Sequence, residues 1–274
     1  MKKLQFLLSL LFLFSCKTAV ETLEPTLTKD FLMFSKEKNK DYRMWVQLPE
    51  GYDSAKKYAT MYVLDPDDKA EGGNSNFTYI AKLCPKMSRE MATQNVLVVG
   101  IRHGDYREVD YTPTKYSTTG FSGEGGGEKF LNFIKKDLIP RIETDYRADT
   151  SREKRIIIGH SLGGLCGAYA FAKHNDVFGN YLLLSPSLIY DDEIILQYEQ
   201  ETRDFIKLKS QLIYFGVGGT EPNMVPPIDV LYQRIKKNYP NDRAELYINA
   251  GKGHNSSKDE NIEKALAFYF KHSK

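Results

Sequence analysis

One serine in the sequence stands in a setting that is typical of a nucleophile. Ser161 is the centre of Gly159-His160-Ser161-Leu162-Gly163, which follows the strand-like run 155–158 (RIII) and precedes a run rich in small residues, 162–173. A serine on a sharp turn from strand to helix takes a strained backbone, and side chains two positions away would collide, so both positions must be glycine. The turn exposes Ser161 for attack on an acyl carbon. The N–H group of Leu162, at the start of the next helix, then faces the oxygen that becomes negative.

Activation of this serine requires a base, and five histidines compete for the role. His254 lies in a glycine-rich loop, 250–255, directly after the last predicted strand, where ligands of parallel sheets bind. His103 follows an earlier strand and is assigned to the lining of the pocket. The other three lie beside the serine, at a helix end and in the C-terminal tail: His160, His174 and His272. His254 is therefore the predicted general base.

The carboxylate that orients this histidine should lie between the serine and the histidine along the chain, just past the end of a strand. Glu221 meets both conditions, because it follows the predicted strand 211–215. Asp229, inside the next predicted helix, is the alternative, and Asp191 and Asp192 follow an earlier strand. We predict Glu221 as the acid, with Asp229 in reserve.

The second N–H group for the oxyanion should come from the loop after the strand 58–64, which reads Asp65-Pro66-Asp67-Asp68. Pro66 has no N–H group, so the backbone of Asp67 is the candidate. A negative side chain pointing inward would oppose the developing oxyanion. We therefore expect the three carboxylates of this loop to face solvent.

The elements that must position these residues alternate along the chain, which is the pattern of an α/β protein. The predicted strands are 42–48, 58–64, 96–101, 155–158, 180–184, 211–215 and 245–249, with 30–36 forming a hairpin with the first. The predicted helices are 76–93, 128–143, 162–174, 190–207, 226–238 and 258–271. Most of the strands are continuous apolar runs, which indicates a mostly parallel central sheet with helices on both faces. Residues 29–274 are predicted to form one domain with the α/β-hydrolase fold, whose order of serine, acid and histidine the chain follows.

The first residues have the pattern of a secretion signal. Lys2 and Lys3 precede an apolar run, 4–14, that is too short to span a bilayer, and the run ends at Cys16 in a Leu-x-Ser-Cys sequence. This ending is typical of a bacterial lipoprotein, with 1–15 as the signal peptide, Cys16 carrying diacylglycerol and palmitate-type acyl chains, and 16–28 as a polar tether. The alternative is ordinary cleavage near Ser15. The prediction is a lipid-anchored protein of the cell envelope, at the outer membrane or facing the periplasm in a Gram-negative bacterium.

Composition excludes several classes of protein. The 274 residues are 41% hydrophobic and 27% charged, which indicates an ordinary globular chain. The net charge of +2 comes from Lys2 and Lys3, so there is no basic excess of the kind that nucleic-acid-binding surfaces show. Cys84 and Cys166 are expected as buried free thiols, without metal-ligand spacing. No metal or organic cofactor is implied, and the oligomeric state is left open.

The candidate residues belong to an ordered series of motifs. The series runs Tyr62-Val-Leu-Asp65, Val99-Gly-Ile101, Arg107, Asp110-Tyr-Thr-Pro113, Gly126-Gly127, Lys129-Phe-Leu131, Leu138-Ile-Pro140, Gly159-His-Ser-Leu-Gly-Gly-Leu165, Phe178, Ser185-Pro-Ser187 and Gly253-His254. In these motifs the chain resembles the putative-esterase family of α/β-hydrolases, which includes esterase D, feruloyl esterases and enterochelin esterases, over nearly the whole mature chain. The resemblance implies a serine ester hydrolase with Ser161 as nucleophile, His254 as base and Glu221 as acid.

The substrate is predicted to meet the polar segment 102–124, in which Arg102, Arg107 and Lys115 could bind an anion. The predicted substrate-binding residues are Arg102, His103, Arg107, Tyr111, Ser185 and Tyr190. Three functions remain open at this point. The first is hydrolysis of small or glycan-linked esters such as feruloyl groups, and the second is hydrolysis of siderophore trilactones of the enterochelin type. The third is a surface binding protein that kept the fold and lost the chemistry.

Overall fold

The computed structural model describes residues 28–69, 74–118 and 121–273. The strands are β1 (Thr28–Ser35), β2 (Lys40–Gln47), β3 (Thr60–Leu64), β4 (Leu97–Ile101), β5 (Lys115–Thr118), β6 (Phe121–Glu124), β7 (Arg155–His160), β8 (Asn180–Leu184), β9 (Leu212–Gly218) and β10 (Arg243–Asn249). Eight of them form one sheet in the order β1-β2-β4-β3-β7-β8-β9-β10. The pairs that involve β2 are antiparallel and the other pairs of this sheet are parallel.

Helices cover both faces of this sheet. They are α1 (Asn76–Glu90), α2 (Arg107–Asp110), α3 (Gly127–Phe133), α4 (Ile139–Tyr146), α5 (Leu162–Lys173), α6 (Ile194–Ile206), α7 (Val225–Asn238) and α8 (Lys258–His272). Apolar residues of α1 and α8 pack on one face, and those of α3 to α7 pack on the other. The predicted α/β architecture is thereby confirmed. Within the described part of the chain, no helix combines the length and apolar character that crossing a bilayer requires.

The central strands are buried along their whole length. Every residue of β3, β4 and β8 is buried. Such strands need apolar side chains on both faces, because helices exclude water from both. This is the physical basis on which continuous apolar runs in the sequence predict a parallel sheet. Cys84 and Cys166 are buried free thiols, as predicted, and burial raises the pKa of both.

Three segments differ from the prediction. The segment 102–124, expected as a loop, contains α2 and the hairpin of β5 and β6. The helix expected from residue 190 begins at Ile194, because the three residues before it have the left-handed backbone. The helix expected over 128–143 contains a π-helical turn, Ile134–Leu138, between α3 and α4. Pro140 has no N–H group to donate to the preceding turn, which accounts for the interruption.

Candidate active site

The three predicted catalytic residues lie past the ends of three parallel strands. Ser161 follows β7, Glu221 follows β9 and His254 follows β10. Because parallel strands end at the same edge of a sheet, their loops meet there. Ser161, Glu221 and His254 accordingly line one cleft.

Ser161 sits on a strained turn between β7 and α5. Its backbone has φ 60° and ψ −119°, a conformation that residues other than glycine rarely adopt. The turn is tied to the next strand by a 2.9 Å hydrogen bond from the Ser161 N–H group to the Leu184 carbonyl. A Cβ atom on Gly159 would lie 2.5 Å from the backbone of Gly163. This close approach is the crowding that requires glycine at both positions.

Glu221 holds the imidazole of His254 in one orientation. His254 Nδ1 donates to Glu221 Oε2 at 2.5 Å. The second carboxylate oxygen, Oε1, accepts from the Ser185 hydroxyl at 2.8 Å and from the Gly218 N–H group at 2.7 Å. Since the carboxylate takes the proton-bearing Nδ1, the other ring nitrogen, Nε2, is left as an acceptor. Asp229, the alternative acid, lies on α7 and accepts a hydrogen bond from Gln233 instead.

His160 contributes an interaction that the sequence did not suggest. Its Nε2 donates to the carbonyl of His254 at 3.0 Å. The two imidazole rings lie with their centroids 4.5 Å apart. Burial and the neighbouring His254 lower the pKa of His160 to about 3, so this imidazole stays neutral in the range where an esterase works. A neutral His160 can anchor the loop of His254 without adding a second positive charge.

The cleft beside Ser161 has a volume of about 330 Å³. Loops after β8 and β9 provide most of its walls. The lining residues are Ser161, Ser187, Ile189, Glu221, Pro222, Asn223, Met224 and His254. The six residues predicted to bind substrate are not among them. The sequence analysis did not predict three parts of this lining, which are Ser187, Ile189 and the segment 222–224. The available signal was their position in the loops that follow two predicted strands.

The structure corrects three of those six residues. Tyr111, Ser185 and Tyr190 are fully buried. The Tyr111 hydroxyl accepts the Asp65 N–H group at 3.2 Å, and the Tyr190 hydroxyl donates to the Thr114 carbonyl at 2.8 Å. Ser185 is the residue that donates to Glu221. All three side chains bond to protein groups, and none of them lines the cleft.

The predicted cations are each paired with a carboxylate. Arg102 lies 3.0 Å from Asp67, Arg107 lies 2.6 Å from Asp65, and Lys115 lies 3.1 Å from Glu124, measured between the charged atoms. These pairs neutralise the positive charge that was expected to attract an anion. The remaining predicted residue, His103, uses Nδ1 to donate to the Gly104 carbonyl and packs edge-on against Tyr111.

The turn after β3 lies where the second oxyanion donor was predicted. It is closed by a 3.2 Å hydrogen bond from the Asp68 N–H group to the Asp65 carbonyl, and Asp67 is exposed at its tip. The prediction that all three carboxylates face solvent is wrong for Asp65, which is fully buried. Burial raises the pKa of Asp65 to about 7, while the guanidinium of Arg107 opposes the shift. This pairing with Arg107 is what allows the carboxylate to point inward.

A mostly parallel eight-stranded sheet, with a serine turn, a carboxylate and a histidine at its carboxyl edge, defines an α/β-hydrolase. A family model described as "Putative esterase" matches residues 35–268. The chain therefore belongs to this family and is a carboxylic ester hydrolase.

Individual relatives are similar over most of their length. Ferri-bacillibactin esterase BesA of Bacillus subtilis is 26% identical over 258 residues, which cover 86% of this chain and 87% of that protein. Among solved structures, an IroE-like serine hydrolase from Shewanella oneidensis matches with a TM-score of 0.77 at 23% identity, covering 89% of this chain and 80% of that one. The BES protein from Bacillus cereus matches with a TM-score of 0.75 at 22% identity, covering 98% and 97%.

Proposed function

We propose that this protein hydrolyses the ester bonds of siderophores, with Ser161 as nucleophile, His254 as general base and Glu221 as the acid that orients the base. The observation that carries the catalytic assignment is the 2.5 Å hydrogen bond between Glu221 and His254 in the cleft that Ser161 also lines. The names of the relatives support the substrate class. BesA is an esterase of ferri-bacillibactin, and structures of siderophore hydrolases from Aspergillus nidulans share the fold.

The chemistry proceeds in two halves. In the first, Ser161 Oγ attacks the ester carbonyl carbon, and its proton passes to His254 Nε2. The N–H groups of Leu162 and Asp67 donate to the oxyanion until the alcohol leaves with the proton from His254. In the second half, water gives a proton to His254 and attacks the acyl-enzyme, which releases the acid and restores Ser161. Glu221 stabilises the positive imidazole that forms in each half.

A second candidate function is hydrolysis of uncharged acyl esters, such as feruloylated or acetylated carbohydrates. The observation that favours it is the character of the cleft. Ile189, Pro222 and Met224 form an apolar wall beside Ser161, and the nearby predicted cations are already paired. Such a wall suits an aromatic or aliphatic acyl group better than a highly charged ferric complex.

The two candidates are separated by comparing substrates on the purified mature domain. We expect a fluorophosphonate probe to label wild type and not Ser161→Ala, and p-nitrophenyl acetate to be hydrolysed by wild type alone. A panel of iron-free trilactone, ferric trilactone, feruloylated and acetylated esters is then compared by kcat/KM. The highest value on a trilactone supports the siderophore assignment, and the highest value on a feruloyl or acetyl ester supports the second candidate. Labelling of Ser161→Ala would refute the catalytic assignment.

We further propose that the protein is anchored in the cell envelope through lipid on Cys16. The support is the Leu-x-Ser-Cys sequence after a short apolar run. This segment lies within residues 1–27, which are outside the part that the structure describes. The mass of protein extracted from membranes should exceed that of the chain from Cys16 by the acyl groups. Cys16→Ala should leave the membrane fraction, and retention of this variant would contradict the proposal.

A further inference from the structure

We propose that Arg107 is a positioning residue that sets the spacing between the two N–H donors of the oxyanion site. The inference rests on the catalytic roles proposed above, but not on which ester is the natural substrate. Arg107 was predicted from sequence to bind substrate. In the structure its guanidinium points into the protein and joins the two backbone segments that carry the donors.

A single nitrogen of Arg107 makes both connections. Nη2 donates to Asp65 Oδ2 at 2.6 Å and to the carbonyl of His160 at 3.1 Å. This nitrogen carries two hydrogen atoms, so it can donate both bonds at once. Asp65 lies two residues before Asp67, and His160 lies two residues before Leu162. The guanidinium therefore ties the side chain of Asp65 to the backbone of His160, and each of these residues is two positions from a predicted oxyanion donor.

Other contacts make Asp65 a firm anchor for its turn. The Asp65 N–H group donates to the Tyr111 hydroxyl at 3.2 Å, and its carbonyl accepts from the Asn76 side chain at 3.0 Å. A Cβ atom on Gly163 would lie 3.0 Å from Asp65 Oδ2, so this carboxylate packs against the first turn of α5. Movement of the Asp65 carboxylate is thus transmitted to the turn that carries Asp67.

The environment of Arg107 favours this role over substrate binding. The ion pair is largely shielded, since 25% of the Arg107 side chain and 1% of the Asp65 side chain are exposed. The guanidinium also lies over the buried Tyr111 ring, with its carbon 5.9 Å from the ring centroid. A glutamine at this position also ends in an NH₂ group, but the side chain is neutral and shorter by two covalent bonds, so it would fall short of the two acceptors and leave the Asp65 carboxylate without a counter-charge. Loss of one oxyanion donor costs roughly 10²–10³ in kcat, so a displaced donor should cost about 10²-fold.

The test is the kinetics of Arg107→Gln on a neutral ester, p-nitrophenyl acetate, and on an anionic ester of the same alcohol, p-nitrophenyl hemisuccinate. A positioning role predicts that kcat falls by about 10²-fold on both esters while KM changes by less than about threefold. An unchanged kcat with a KM that rises only for the anionic ester would show that Arg107 binds substrate charge and would overturn the proposal. An unchanged kcat and KM on both esters would overturn it as well.

Arg155→Gln is the matched control. Arg155 is also a partly buried arginine that bonds to a carboxylate, Glu143, and to a carbonyl, that of Val177. It stands at the other end of β7 from Ser161, so its loss should lower the melting temperature without a comparable loss of kcat. A fall in kcat that matches that of Arg107→Gln would mean that the effect is one of general destabilisation, against the proposal.

Two further measurements keep the test decisive if Arg107→Gln folds poorly. Asp65→Asn keeps the shape of the side chain and removes its charge, so it should lower kcat with KM unchanged in a protein that melts cooperatively. Millimolar guanidinium, and not sodium, should restore part of the kcat of Arg107→Ala. A fully active Asp65→Asn variant together with no rescue would refute the proposal. Absence of any ester hydrolysis by the wild-type protein would instead refute the proposed function, which distinguishes the two failures.

Discussion

Replacement of Glu221 by glutamine gives the sharpest test of how the histidine is held. The substitution keeps the shape of the side chain and exchanges one oxygen for an NH₂ group. Glu221 accepts hydrogen bonds on both oxygens: from His254 on Oε2, and from Ser185 and the Gly218 N–H group on Oε1. If the amide oxygen replaces Oε1, the NH₂ group meets Nδ1 of His254, and two donors face each other. If the amide is turned around, the NH₂ group meets the Gly218 N–H group, which sits 2.7 Å from the native oxygen.

The first arrangement costs less, because only the histidine has to change. His254 then moves its proton from Nδ1 to Nε2 and accepts the amide on Nδ1. A protonated Nε2 has no lone pair for the proton of Ser161, so the base is blocked. The wrong tautomer costs about 10⁴-fold in kcat, which corresponds to about 5 kcal/mol of activation free energy. The free energy of unfolding should fall by only about 1–2 kcal/mol. The hydrogen bonds from Ser185 and Gly218 are kept, and they are weakened only because their acceptor is now a neutral amide oxygen instead of a charged carboxylate oxygen.

The assay is kcat on p-nitrophenyl acetate, together with thermal unfolding of each variant. Asp229→Asn is the control, since it makes the same chemical change at the other candidate acid, which lies on α7 and contacts Gln233. We expect Asp229→Asn to keep the wild-type kcat. A kcat of Glu221→Gln within about tenfold of wild type would refute the reasoning, because the wrong tautomer could not support that rate. A large loss in Asp229→Asn would refute the choice of acid.

Three further substitutions test other parts of the structure. Gly159→Ala should destabilise the fold by about 3 kcal/mol and abolish activity, because its Cβ would lie 2.5 Å from the backbone of Gly163; thermal unfolding and esterase assays check this. Burial would raise the pKa of Glu199, but hydrogen bonds led by that from Arg203 lower it below the usual 4.5. The stabilisation from the Glu199 carboxylate is therefore present above pH 4.5 and is lost as pH falls through the lowered pKa. Glu199→Gln should lower the free energy of unfolding by about 3–5 kcal/mol at neutral pH. Unfolding experiments at acidic pH should show a smaller difference between this variant and wild type. Met224→Ala should raise KM for an apolar acyl ester about tenfold with kcat preserved, because it removes apolar contact from the cleft wall.

The positions of the catalytic residues were predictable because they depend on the strands. The apolar runs that became β7 and β9 and the mixed run that became β10 can be recognised in the sequence, and parallel strands bring their carboxyl ends to one edge. A residue just past such a run must lie at that edge, whatever the loops do. Ser161, Glu221 and His254 all meet this condition, so their proximity follows from sequence order and fold class.

The substrate side of the site was harder to predict, because it depends on which way individual side chains point. Tyr111 and Tyr190 are residue types that serve equally well in a binding pocket or in a core, and both proved to be buried. Their neighbourhood, 102–124, has short elements whose polar composition resembles a loop. The pocket wall came instead from Ile189 and Met224, whose apolar character suggested burial rather than contact with a ligand.

The prediction for Asp65 was wrong for a reason that bears on the role of Arg107. The expectation treated the carboxylate alone, and a lone negative charge beside a developing oxyanion would oppose its formation. Arg107, 2.6 Å away, compensates that charge, so the pair adds little net charge near Ser161. Burial of an ion pair brings no assured gain in stability over apolar side chains, because desolvation offsets the attraction. We therefore attribute the pair to the geometry that it imposes on the turn after β3 and on the end of β7. The pair of Arg102 and Asp67 is exposed to solvent, so it restrains the same turn less.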